Sequence, residues 1–368
     1  MKRLMGFGLA FLLLAPALFA EHANVMPARV GRFFVAPTFI MFNQEFDDDG
    51  NRGSADTVRM FNLGFALEYG ITSWITGAVQ WAPGVNLWSD VDMDIAVPPN
   101  DELALMGIPV GHIHSSSGGR VTGAGDVLLG AKIQLVGREA PMQSEQFRLA
   151  FAPGVIIPVP GRDFSDELGS NNPRVATLDN HVFGVGLRSF FDWVPSRFFY
   201  LNFYNEIRFF PQRGRFRDLG FQQAAQAEML RQVSPAFTGG ETIDIGGLEV
   251  NFRYDLTFEI EPTFTYRMEA PIIAFEVGLP FTYFFTPGYT ISGVPNLDQI
   301  PFPELRAALT PQDQGSVHSL SFGPNVSVFF MEWPVPMEFR LSYTIPLWGQ
   351  NTEARHVFGL QIRTYFRI

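Results

Sequence analysis

The sequence predicts an all-β chain that closes as an antiparallel transmembrane β-barrel of about 12 strands. Three observations carry that prediction. The stretch GLEVNFRYDLTFEIEPTFTYR, residues 247–267, places Leu248, Val250, Phe252, Tyr254, Leu256, Phe258, Ile260, Phe264 and Tyr266 on one face, and Glu249, Asn251, Arg253, Asp255, Thr257, Glu259 and Glu261 on the other. A period of two over so long a run marks a strand with two unlike faces, and soluble strands are usually about five or six residues long. Similar stretches recur along the chain, joined by links that are short and long in turn. The chain also opens with an export signal, and no later apolar run reaches the length of a membrane helix.

The export signal is MKRLMGFGLAFLLLAPALFA, residues 1–20, with Lys2 and Arg3 before an apolar run and small residues at its end. It reads as a signal peptide cleaved before Glu21, because the run is too short to span a bilayer as a helix. Residues 21–30 are then expected to be a short periplasmic segment, and 31–368 the barrel.

Each strand follows from alternation. The first, 31–43, sets Phe33, Val35, Phe39 and Met41 on one face. The second, 56–69, sets Phe61, Leu63, Phe65, Leu67 and Tyr69 against Asn62, Gly64, Ala66 and Glu68. The third runs from Trp74 to about Trp88. The fourth, 125–136, sets Val127, Leu129, Ala131, Ile133 and Leu135 against Asp126, Lys132 and Gln134. The fifth, 146–158, sets Phe147, Leu149, Phe151, Val155 and Ile157 against Arg148 and small residues. The sixth and seventh are 180–191 and 198–210, and the eighth is 247–267. The ninth to twelfth are 272–285, 319–330, 337–347 and 356–368.

The links at 70–73, 137–145, 192–197, 268–271 and 332–336 are short, and those at 44–55, 89–124, 159–179, 211–246, 286–318 and 348–355 are longer. If the first strand runs outward, every short link is periplasmic and every longer one external, the asymmetry of outer-membrane barrels. Trp74, Trp193 and Trp333 then mark the inner interface, and Trp81, Trp88 and Trp348 lie toward the outer one.

Composition excludes several classes. The formal charge is −11, and loss of Lys2 and Arg3 makes it two units more negative, which disfavours a nucleic-acid partner. There is no cysteine, so disulfides, thiolate metal sites and a thiol nucleophile are out. His112 and His114 are a lone H-x-H pair in a loop, short of the three or four ligands a metal needs. No Ser/His/acid arrangement stands out among six histidines, so no enzyme, catalytic residue, cofactor or metal is expected.

The inward faces carry the candidate site. Glu206 and Arg208 on the seventh strand lie beside Glu249, Arg253, Asp255 and Glu259 on the eighth, with Lys132, Arg148, Glu276 and Arg340 elsewhere on the lining. Opposite charges on neighbouring strands form either a ladder that stiffens a narrow barrel or a constriction that touches solute. Outside the barrel, residues 217–233 and 302–310 have helical composition, and the loop 101–114 is unusually apolar.

The last stretch, HVFGLQIRTYFRI at 356–368, resembles the terminal strand recognised by the barrel assembly machinery of Gram-negative outer membranes. FNLGFALEYGITSWITGAVQWAP at 61–83 and GAGDVLLGAKIQLV at 123–136 resemble segments of the transporters grouped as the meta-pathway of phenol degradation family, where a strand ending in YGIT turns tightly into the next. That resemblance implies passage of small, often hydrophobic compounds. The chain is also loosely similar to long-chain fatty-acid uptake channels, whose N-terminal plug is not expected here because about ten residues separate the cleavage site from the first strand. The expected function is a passive outer-membrane channel for small molecules, hydrophobic ones among them, with lipid, the assembly machinery and the solute as partners. The alternative is a closed barrel whose external loops serve adhesion, surface shielding or partner binding.

Overall fold

The computed structural model describes residues 22–97, 111–115, 122–159, 175–177, 183–211, 214–216, 248–250, 253–269, 272–292 and 312–367. Twelve antiparallel strands form the wall: β1 (Val30–Phe46), β2 (Arg52–Thr72), β3 (Ile75–Val97), β4 (Val127–Gly137), β5 (Phe147–Ile157), β6 (Gly184–Ser196), β7 (Phe199–Phe210), β8 (Arg253–Glu269), β9 (Ile272–Gly278 and Phe281–Thr286), β10 (Val317–Phe322 and Asn325–Phe330), β11 (Met337–Gln350) and β12 (His356–Arg367). Each pairs with its neighbour, and β1 pairs with β12, Phe33 lying opposite Thr364 and Phe39 opposite Phe358. Closure leaves no free edge, the condition for a sheet in hydrocarbon. Among the described residues no helix is long and apolar enough to cross a membrane.

The two faces separate as alternation requires. On β8, Phe258, Ile260, Phe264 and Tyr266 are exposed on the outer face, while Arg253, Asp255, Thr257, Glu259, Glu261 and Thr263 are buried inside. On β2, Asn62, Ala66 and Glu68 are buried inside while Leu67 points out. The outer face is apolar up to the level of Phe61 and Trp88; one step higher, Arg59 and Asp90 form an ion pair at 3.1 Å. That pair marks where the wall leaves hydrocarbon on the external side.

The wall is not regular throughout. β9 and β10 break at the same level, at Leu279–Pro280 and Gly323–Pro324, since a proline ring cannot donate a ladder bond. The breaks are stitched by Gly323 N–H donating to Pro280 O at 2.9 Å and Leu279 N–H to Pro262 O at 3.0 Å. Pro262 therefore sits within the wall, opposite Leu201, and β8 continues past it to Glu269. On β3 the chain bulges at Pro83–Gly84, and Gly84 has φ +77°, with its missing Cβ only 2.0 Å from Leu63 O. Only glycine fits both demands.

Several expectations change. Of the long strand expected at 247–267, Leu248–Val250 and the stretch from Arg253 onward are described, and 251–252 lie outside the described residues; Leu248–Val250 pairs in a four-stranded sheet with Gly214–Phe216, Tyr289–Ser292 and Gln312–Gln314. These short strands prolong the chain directions of β7 to β10 beyond the barrel wall. Two links expected to be long are tight turns instead, 47–51 and 351–355, because β1 and β11 run on to Phe46 and Gln350. The turns hold each other: Asn351 N–H donates to Asp47 O at 3.1 Å. His112 and His114 lie on a short strand, Gly111–Ser115, paired with the end of β3. The remainder of 101–114 and the stretches 217–233 and 302–310, expected to be helical, lie outside the described residues.

Candidate functional site

The barrel interior is filled by polar and charged side chains paired with one another. On β7, Glu206 Oε1 accepts from Arg188 Nε of β6 at 2.8 Å, and its Oε2 accepts from Arg208 Nη2 at 3.1 Å. On β8, Arg253 Nε donates to Asp255 Oδ1 at 3.0 Å, and Thr286 donates to the same oxygen at 2.8 Å. Glu259 accepts from Thr282 at 2.7 Å. On β12, Arg363 reaches Glu338 at 2.9 Å, and Tyr365 donates to the other oxygen of that carboxylate at 2.7 Å. A buried charge is costly unless paired and hydrogen-bonded, so a lumen this narrow forces such partnerships.

Some contacts are chords across the lumen rather than rungs between neighbours. Arg188 on β6 donates to Gln80 on β3 at 2.8 Å, two strands intervening. Arg340 on β11 donates to Glu261 on β8 at 3.2 Å, again over two strands. Asn325 on β10 donates to the same Glu261 oxygen at 2.9 Å. Only a small bore allows side chains from such separated strands to meet.

The lower lumen holds the segment that enters it before β1. Residues 21–30 are expected below the barrel, but the described part from His22 to Met26 is drawn inside. The reason is a set of polar partners waiting on the wall. Ala23 N–H donates to both oxygens of Asp192, at 3.1 and 3.0 Å. Met26 N–H donates to Thr76 Oγ1 at 2.8 Å. Lys132 Nζ donates to His22 O at 3.0 Å and Asn24 O at 3.4 Å, and lies 4.1 Å from the centre of the Phe190 ring. The His22 ring bonds Tyr200 through Nδ1 at 2.7 Å, with Nε2 3.9 Å from Glu276. Ala23 is wholly buried against Ala150, Phe190 and Tyr204. The chain enters over Gly70, where a Cβ would meet Pro27 O at 2.0 Å.

Asp192 is the centre of this arrangement. Asn202 Nδ2 donates to it at 2.7 Å and Arg148 Nη1 approaches at 3.5 Å, so the carboxylate also has partners on the wall. A cavity of about 120 Å³ adjoins the segment, bordered by Met26, Leu128, Lys132, Arg188, Phe190 and Glu206.

Of the sequence-derived candidates, Glu206, Arg208, Arg253, Asp255, Glu259 and Arg340 are buried on the inner wall. Lys132, Arg148 and Glu276 line the lower lumen around the segment. Glu249 lies on the described strand Leu248–Val250, in register with Arg215 and Ser292. Across β7 and β8, Arg208 stands directly opposite Asp255, and each also pairs along its own strand, Arg208 with Glu206 and Asp255 with Arg253. Sequence reasoning missed Arg32 and Asp192, and it placed Glu261 on the polar face without making it a candidate. Asp192 was hidden by assigning 192–197 to a link, whereas β6 runs to Ser196. Arg32 pairs with Glu68 on β2 and shares the inner face with Phe34. Among the described residues no cluster of three or more metal-ligating side chains occurs.

No family model matches the chain, and no curated protein matches it. Among solved structures it is similar to the COG4313 outer membrane channel from Pseudomonas putida F1, with a TM-score of 0.53 and 12% identity over 94% of this chain and 99% of that one. It also aligns with the beta domain of the Bordetella autotransporter BrkA at a TM-score of 0.40, 10% identity, 92% of this chain and 100% of that one. The anion-selective porin from Comamonas acidovorans aligns at a TM-score of 0.29 and 8% identity, over 92% of this chain and 98% of that one. The last two scores carry no argument. The first shows the fold: the chain folds as a closed, twelve-stranded antiparallel β-barrel, the architecture of that channel.

Proposed function

We propose that the protein is a passive channel of the outer membrane, and that the segment from His22 to Met26 closes its lumen. The observation that carries this reading is the mode of attachment. The segment is held by hydrogen bonds to Asp192, Thr76, Lys132 and Tyr200, each of which exchanges readily with water. A wall that only needed filling would use apolar side chains, which cost less to bury. A polar seat suits an occupant that leaves. The solute is a small molecule, and the resemblance to phenol-degradation transporters favours hydrophobic ones. The apolar outer face favours outer-membrane lipid as surroundings, and the terminal strand favours insertion by the barrel assembly machinery.

Planar-bilayer recording tests the channel. The intact protein is expected to be closed for most of the record, and deletion of residues 22–26 to give frequent, larger openings. A deletion variant that is folded and never conducts overturns the channel reading.

The chords from Arg188 to Gln80 and from Arg340 to Glu261 favour a second reading, a closed scaffold whose external loops bind or shield. The same recording separates the two, since a scaffold stays silent without the segment.

A further inference from the structure

We propose a second, independent site on the outer wall, where Ser316, His318 and Tyr283 form a serine hydrolase relay acting on the carboxylic esters of lipids. Ser316 Oγ lies 3.0 Å from His318 Nε2, and His318 Nδ1 lies 2.7 Å from the Tyr283 hydroxyl. A serine becomes a nucleophile when a base stands within hydrogen-bond reach and a third group orients the base. All three parts are present. With the Tyr283 oxygen accepting from Nδ1–H, Nε2 keeps its lone pair for the serine proton, the tautomer a general base requires.

The relay faces lipid rather than the lumen. Tyr283 shares its strand face with Phe281, which is 47% exposed, and with Phe285, which stands opposite His318. The imidazole rests against Phe285, with ring centres 4.9 Å apart, and near Trp348, at 6.2 Å. Ser316 immediately precedes β10 at the external end of the wall. It stands where aromatic rings give way to polar groups, the depth of the acyl esters of an outer-leaflet lipid. Asn351, in the neighbouring turn with φ +51°, donates its side-chain amide to Ser316 O at 2.9 Å. The second hydrogen of that amide is our assignment for the oxyanion donor.

The reaction follows from these positions. Ser316 Oγ bonds to the ester carbonyl carbon as His318 Nε2 takes its proton. The tetrahedral adduct expels the alcohol oxygen, which receives that proton from Nε2. Water, deprotonated by the same nitrogen, then attacks the acyl-serine. Its acyl C–O bond breaks, the fatty acid leaves, and the proton returns to Ser316.

The wall contains its own comparison. Tyr343 bonds His356 Nδ1 at 2.8 Å, repeating the tyrosine–histidine pair, but the residue two positions before His356 is Ala354. That pair can anchor the interface and has no hydroxyl at the equivalent position to activate.

The test uses full-length protein in detergent, its folding checked by heat-modifiable migration. A fluorophosphonate probe is expected to modify Ser316, located by mass spectrometry, and a diacyl phospholipid in mixed micelles to release fatty acid. Ser316→Ala should abolish both. His318→Asn should lower release by about 10²- to 10⁴-fold, the usual contribution of a general base. Tyr283→Phe, a positioning change, should lower kcat with KM little changed. His356→Asn should leave both readouts unchanged. A folded wild-type barrel with no adduct at Ser316 and no fatty acid released overturns the proposal, as does undiminished release by Ser316→Ala. Neither outcome bears on conductance.

Discussion

The Asp192 carboxylate receives the backbone N–H of Ala23 on both of its oxygens, at 3.1 and 3.0 Å, from the interior of the barrel wall. A hydrogen bond to a charged group contributes about 1.5–3 kcal/mol, so losing it shifts a closed–open equilibrium by roughly ten- to a hundredfold. Asp192→Ala is therefore expected to raise open probability in planar bilayers by that order. Asp192→Asn, which keeps an acceptor oxygen, should lie between. A silent Asp192→Ala barrel with an intact fold would remove the segment from any gating role.

Gly70 offers a steric route to the same end. A Cβ there meets Pro27 O at 2.0 Å, and the chain cannot pass over β2 without shifting. Gly70→Val should expose the segment to protease added from the periplasmic side, while the barrel itself stays resistant. Equal protection in variant and parent would count against this account.

Glu206 balances two guanidiniums, Arg188 and Arg208. Removing one partner of a buried ion pair costs about 3–5 kcal/mol. Glu206→Gln should lower the urea midpoint for unfolding in detergent. If the segment-free channel conducts past this level, its reversal potential should move toward anion preference.

Leu341 is 62% exposed on the outer face of β11. In water such exposure would be a liability, whereas in lipid it is burial. Leu341→Arg should destabilise the folded barrel in bilayers by up to about 2–4 kcal/mol, the cost near the midplane. A neutral effect would place this band outside hydrocarbon.

Asp47, in the external turn, accepts from the backbone N–H of Asn51, which holds its carboxyl below the usual range. A depressed carboxylate adds stability above its unfolded pKa and loses it as pH falls through the folded value. Amide exchange in the turn 47–51 should therefore accelerate below about pH 4, near the ordinary carboxylate value. In Asp47→Ala it should be fast at every pH.

Residue alternation made the wall legible, because lipid on one side and packed polar groups on the other enforce a period of two. Phe258 and Glu259 could be assigned to opposite faces from sequence alone, and the structure keeps them there. The links at 70–73 and 332–336 were legible as gaps in that alternation, whereas 192–197 was not, since β6 runs through it to Ser196. What escaped was everything decided by meeting at a distance. Asp192 and Ala23 are 169 positions apart, and nothing local announces that one receives the other. Arg340 and Glu261 were each recognisable as charges, but their chord depends on bore width. Ser316, His318 and Tyr283 likewise come together only through the pairing of β9 with β10.

The turns 47–51 and 351–355 stop close above the level of His318, whereas the chain leading into β8 continues outward through the separate sheet to Leu248. Among the described residues the rim is thus lower where β1 meets β12 than along β7 to β10. Along the described wall, an amphiphile sliding within the outer leaflet therefore meets the lower rim at the seam that closes the barrel.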